Sequence, residues 1–228
     1  MTAETSLLDA LAAGGPEAFQ QPAERRRELA RDLVAASYLR GSWVLSSGRP
    51  SDFYLDSYLF ATRPTVLRRL ARLLAERLPA GTDRIAGAAL SAVPLATALS
   101  LETGVPFVIV REARGAYAQT AGVEGELHAG ERVVLVEDVV TTASRALAAA
   151  REVVRTGAEI TAVLAVVDRE QGGAEAATAA GLPFEPLFRL SELPVPAAGY
   201  GPADGPPRAT GAAAPAASTT DRTEKETP

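Results

Sequence analysis

The chain has 228 residues, 47% of them hydrophobic and 22% charged, which suits one sizeable core plus tails. Its 23 Lys+Arg against 28 Asp+Glu give a formal charge of −5, which argues against general adhesion to nucleic acid or an anionic membrane and leaves a small molecule as the expected partner. The absence of cysteine excludes disulfides, zinc-thiolate sites and thiol nucleophiles, and the N-terminus lacks a charged start followed by a long apolar core; a cytoplasmic protein is expected.

In chain order, residues 1–22 are rich in Ala, Gly and Pro and read as a flexible extension, and residues 23–194 as the folded domain. From Pro22, Leu29, Leu33 and Leu39 recur at near-helical spacing among charges, so an amphipathic helix stopped by Gly41 is expected. The segment SWVLSSGRPSDFYLDSYLF (42–60) has short apolar runs broken by Ser-Gly-Arg-Pro, the pattern of a β-hairpin. A leucine-rich helix is expected from Thr65 to Leu78. Thereafter strands at 84–90, 106–112, 131–138 and 160–168 alternate with helices at 93–104, 142–157 and 173–182, and FEPLFRLSEL supplies a last edge element. That alternation implies βαβ units and an open, mostly parallel α/β sheet covered by helices. Residues 195–228 hold almost no large apolar side chain to offset ordering entropy and read as a disordered tail.

The run VVLVEDVVTTASR carries the chemistry. In an open parallel sheet ligands bind beyond the carboxyl ends of the strands, where a loop entering a helix offers free N–H groups and partial positive charge. Thr141, Thr142 and Ser144 stand where such a loop would cradle a phosphate. Glu137 and Asp138 have the wrong charge for that task and suit ribose hydroxyls, a divalent cation or positive charge developing on a sugar carbon. Spacing alone leaves a second reading open, in which the acids simply cap the next helix.

The same run closely resembles the 5-phosphoribosyl 1-diphosphate (PRPP) signature of type I phosphoribosyltransferases. Further segments resemble the orotate phosphoribosyltransferase branch: GSWVLSSGRPSDFYLDSYLF its N-terminal hairpin hood, AALSAVPLATALS its Pro-Leu-Ala strand-turn-helix, PFVIVRE the strand before its mobile loop, and AVVDREQGGAEAATAAGLPFEPLFRLSEL its closing elements. The resemblance spans about residues 25–193. It implies transfer of phosphoribose from PRPP to orotate with expulsion of pyrophosphate, Mg2+ carried on the PRPP rather than on protein ligands, and a homodimer. By that resemblance Glu137, Asp138 and Arg111 are catalytic. Residues Val139, Val140, Thr141, Thr142, Ala143, Ser144 and Arg145 bind PRPP together with those three. Arg169 takes the orotate carboxylate, a bidentate task suited to guanidinium, while Thr141, Phe53 and Tyr54 contact orotate.

The chain also departs from the pattern. Family basic positions hold Ser46, Ser57, Glu112 and Gly115, Tyr117 stands at a histidine position, and Ala118, Ser91-Ala92 and Ala143 at glycines. Either Ala143 avoids the conformations that glycine permits, or the loop differs there. Each missing cation at a leaving pyrophosphate costs about 2–4 kcal/mol, or roughly 10² to 10³ in rate. The readings are therefore an orotate phosphoribosyltransferase using Arg111 and Arg114, a PRPP- or nucleotide-binding regulator with impaired turnover, and a phosphoribosyltransferase for another base. His128, the sole histidine, reads as a solvated turn residue.

Overall fold

A computed structural model of the chain describes residues 22–45, 48–111 and 122–196. The expectations for the N-terminal extension, for Ser46, for Glu112 to Ala118 and for the tail beyond 196 lie outside the described residues.

Helix α1 (Pro22–Ser37) buries Leu29, Ala30, Leu33 and Val34 along one stripe. It ends two residues before Leu39, because Tyr38 already belongs to strand β1 (Tyr38–Val44), which runs through Gly41. Gly41 is thus not a helix stop. It lies in an irregularity of the ladder between Arg40 and Trp43, where a Cβ would come within 3.0 Å of the Trp43 indole nitrogen. Strand β1 pairs antiparallel with β2 (Pro50–Leu55), so the hood hairpin exists and begins earlier than its apolar runs suggest. Its expected second strand stops at Leu55: the Asp56 carboxylate accepts the Tyr58 N–H at 3.0 Å and starts a short helix, α2 (Ser57–Ala61).

After helix α3 (Pro64–Ala75) the chain builds a six-stranded sheet in the order β5-β4-β3-β6-β7-β8. The strands are β3 (Arg84–Ala88), β4 (Phe107–Arg111), β5 (Gly122–Glu124), β6 (Arg132–Val140), β7 (Glu159–Asp168) and β8 (Phe184–Arg189). Helices α4 (Val93–Thr103), α5 (Ser144–Arg155) and α6 (Gly173–Ala179) join them, and all neighbours are parallel except β4 and β5. The three-residue β5 has too few alternations to announce itself in the sequence. Period two sorts β6 cleanly: Val134 and Val136 join the core beneath α1 to α4, while Val133 and Leu135 join the core beneath α5.

Strand β6 runs two residues past the expected end. Val139 pairs with Val167 and Val140 with Asp168, so the acid pair lies within the strand and not at its end. From β3 the chain crosses to β4 on one side, and from β6 to β7 on the other, so the strand order reverses between β3 and β6. A crevice at the carboxyl ends of those two strands is where this architecture binds ligands.

Candidate active site

Glu137 and Asp138 are only 2% and 3% exposed. Two buried carboxylates in the last residues of a central strand are costly to desolvate, and among the described residues the Oδ1 of Asp138 has no hydrogen-bond partner. A buried acceptor of this kind is what a ribose hydroxyl would satisfy.

Beyond Val140 the chain bends through Thr141 to Ala143 and enters α5. Ala143 is the N-cap residue, in the left-handed region at φ 59 and ψ 7. The first alternative, that it avoids that conformation, is therefore wrong: its one-carbon side chain tolerates what a larger residue would not, at a cost of about 1–2 kcal/mol. No side chain caps α5, so the helix-cap reading of the acids fails and the first-turn N–H groups have no side-chain cap. The Thr142 and Ser144 hydroxyls lie 2.9 Å apart beside them. From the first turn, the Arg145 guanidinium reaches back to Ser91 Oγ at 3.3 Å and Ala89 O at 3.4 Å, joining the loop after β3 to the loop after β6. Gly173 closes the floor: a Cβ there would sit 2.6 Å from Val140 Cγ1 and 2.8 Å from Thr141 O.

The opposite wall comes from β7 and the hairpin. The Arg169 N–H donates to Val140 O at 2.8 Å, which sets the residue beside Thr141. Its side chain is buried, with the guanidinium carbon 4.9 Å from the centroid of the Phe53 ring, and its Nε has no hydrogen-bond partner among the described residues. Burial lowers its pKa, opposed by Tyr54, yet an arginine stays charged. Phe53 also stacks on Tyr38 at 5.4 Å and packs on the core, so it serves both as core and as platform. Tyr54 lies 5.2 Å from the ring of Trp43, and its hydroxyl pKa is raised first by burial and then by Asp56 and Asp138, with Arg145 opposing. Tyr54 thus lies near Asp138, Arg145 and Arg169, and Phe53 lies under the Arg169 guanidinium.

Arg111 does not join them within the chain. It ends β4, on the far side of β3 from the acid pair, and pairs with Glu124 at 3.2 Å with both side chains more than half exposed. Two strand spacings make that separation about 10 Å. His128 sits in its turn, 3.1 Å from Glu126 and exposed. Asp168 was not singled out by sequence: it is buried, burial raises its pKa, and its Oδ1 accepts the Glu170 N–H at 2.8 Å. An acid ending a long apolar run, as at Glu137, was the available signal. Among the described residues no group of three or more His, Asp or Glu could hold a metal ion, and no helix is long and apolar enough to cross a membrane.

An open parallel sheet whose strand order reverses between β3 and β6, with buried acids near the end of β6 and a helix without a side-chain cap after them, is the architecture of an α/β ligand-binding protein, and the phosphoribosyl transferase domain matches residues 61–179. Among curated relatives, an orotate phosphoribosyltransferase of Thermococcus gammatolerans is 43% identical over 164 residues, 71% of this chain and 87% of the relative. Another, from Thermococcus kodakarensis, is 45% identical over 158 residues, 68% and 85% of the two chains. The orotate phosphoribosyltransferase of Mycobacterium tuberculosis, solved with Fe(III) dicitrate, superposes with a TM-score of 0.65 at 33% identity, covering 75% of this chain and 99% of that one. The chain belongs to the orotate phosphoribosyltransferase family of type I phosphoribosyltransferases.

Proposed function

We propose that the chain transfers the phosphoribosyl group of PRPP to orotate, giving orotidine 5′-phosphate and pyrophosphate. The observation that carries the substrate is Arg169: a buried guanidinium over Phe53, beside the phosphate loop, with no carboxylate answering it among the described residues. A planar anion matches it, and the orotate carboxylate is one. Phe53, Tyr54 and Thr141 hold the pyrimidine ring. The loop from Val139 to Arg145 holds the 5′-phosphate with uncapped N–H groups, and Arg145 adds charge. Glu137 and Asp138 accept the ribose hydroxyls and stabilise positive charge growing on the anomeric carbon as the diphosphate departs. Mg2+ arriving on PRPP would supply neutralisation of the leaving group's charge. Arg111 serves the diphosphate, in a cytoplasmic homodimer. Its distance from the acids of its own chain favours action across such a dimer.

The test is orotate consumption followed by ultraviolet absorbance, alongside pyrophosphate release, with PRPP and Mg2+. Equal amounts of both are expected, and Arg169→Ala should raise the orotate KM about tenfold or more while PRPP binding stays within about threefold. Pyrophosphate release no higher than background, with PRPP still bound in calorimetry, would leave a non-catalytic PRPP binder. Turnover with a base lacking the carboxylate and none with orotate would reassign the substrate.

A further inference from the structure

A buried cation with no counter-charge tends to leave for water, so something must hold Arg169 in place. The cation–π contact with Phe53 accounts for part, and the bond from Arg169 N–H to Val140 O fixes its backbone. The residue after it is held more tightly still. Glu170 is one of two non-glycine residues with positive φ among the described residues, at φ 56. A left-handed glutamate costs about 1–2 kcal/mol and persists only where its surroundings enforce it. Two contacts do so. Its N–H donates to Asp168 Oδ1 at 2.8 Å, and its carboxylate takes Ser191 in both hands, Oε2 accepting the backbone N–H at 2.8 Å and Oε1 the hydroxyl at 3.0 Å. Ser191 is itself on firm ground, in the 3-10 turn Leu190–Glu192 that closes β8. The Glu192 carboxylate there accepts Arg189 N–H at 2.9 Å and Arg26 from α1 at 2.8 Å.

From this geometry we infer that Glu170 is a positioning residue: its clasp on Ser191 holds the turn after β7 in the left-handed conformation that aims Arg169 across Phe53, and so sets the affinity for a carboxylate-bearing base. The inference rests on the orotate reading given above. It assigns Glu170 no contact with substrate, and none with the phosphate loop. A displacement of about 1 Å in a positioned group can cost as much as 10²-fold, so loss of the clasp is felt at the base and not at PRPP.

Steady-state kinetics and calorimetry on the full chain separate the possibilities. Glu170→Ala is expected to raise the orotate KM about tenfold with kcat within about threefold, while the PRPP dissociation constant and the thermal midpoint stay near wild type. Glu170→Gln, whose amide can accept the Ser191 N–H and donate to its hydroxyl, should recover most of the loss. Glu170→Gly accepts the same φ without strain but has no clasp, and should behave as Glu170→Ala does. An unchanged orotate KM in Glu170→Ala, a Gly variant as good as wild type, or equal weakening of orotate and PRPP would overturn the assignment. If wild-type protein neither binds nor consumes orotate, the substrate reading falls and this inference falls with it; if wild type uses orotate and Glu170→Ala does so equally well, the inference alone falls.

Discussion

Ala143 shows how closely one residue can be balanced. Its left-handed backbone costs about 1–2 kcal/mol, which Ala143→Gly would remove. The same change frees the unfolded chain by about 0.4–1 kcal/mol and loses a buried methyl worth about 0.8 kcal/mol. The terms nearly cancel, so Ala143→Gly should alter unfolding free energy in urea by less than about 1 kcal/mol. A β-branched side chain at the same φ has no such balance, and Ala143→Val should cost more than about 2 kcal/mol. A strongly destabilised glycine variant would mean that the loop does not hold this φ. Ala143 also marks a limit of reading residues one at a time. The family's glycine at this position suggests that an alanine must leave the left-handed region, whereas Ala143 occupies it and bears the strain.

At the scale of elements, legibility followed apolar content. The Val133 to Val136 run and the alternation of strands with helices gave away the parallel sheet, because burial on both faces demands such runs. Ends were harder to see. Glu137 and Asp138 look like a strand terminus since charge rarely enters a core, yet β6 carries them inward and continues to Val140. A buried charge breaks the rule that locates the element. Leu39 looked helical because a strand's Tyr-Leu start fits either period over so short a span, and only pairing with Tyr54 decides it. The Glu170 to Ser191 clasp spans 21 residues and depends on where the last turn lands, so no local pattern could reveal it. Packing between elements also makes a prediction. Gly173 brings the start of α6 against Val140 and Thr141, and Gly173→Ala must move backbone to make room. It should cost about 1–3 kcal/mol in chemical denaturation and, on the proposed role of the loop after β6, weaken ribose 5-phosphate binding in calorimetry, because what shifts is that loop. Destabilisation with unaltered ribose 5-phosphate affinity would show that the strain is absorbed in α6.

Across the whole molecule, the two rims of the sheet carry charge in opposite ways. The carboxyl rim holds Asp138, Asp168 and Arg169, all buried and without an ion pair among themselves in the described residues, which is costly in desolvation. The amino rim is compensated. Arg84, at the start of β3, donates through Nε at 3.2 Å and through a second guanidinium nitrogen to Glu131, the residue before β6, and Asp83 accepts Arg132 N–H at 2.8 Å. The Arg84 hydrogen bond, the largest influence, and the His128 N–H hold the Glu131 carboxyl below its ordinary range. Its contribution is therefore full above the unfolded pKa of about 4.3 and lost as pH falls through the lower folded value. Asp168 acts the other way: burial raises its pKa, so its penalty is present above that folded value and fades as pH falls through it. Glu131→Gln isolates the first effect. At pH 7 it should lower unfolding free energy by about 1–3 kcal/mol, and the gap to wild type should close as pH drops below about 4. Orotate and PRPP affinities should be unchanged, because Glu131 lies at the end of the sheet opposite the crevice. A gap that persists in acid would mean that Glu131 stabilises by packing and not by charge.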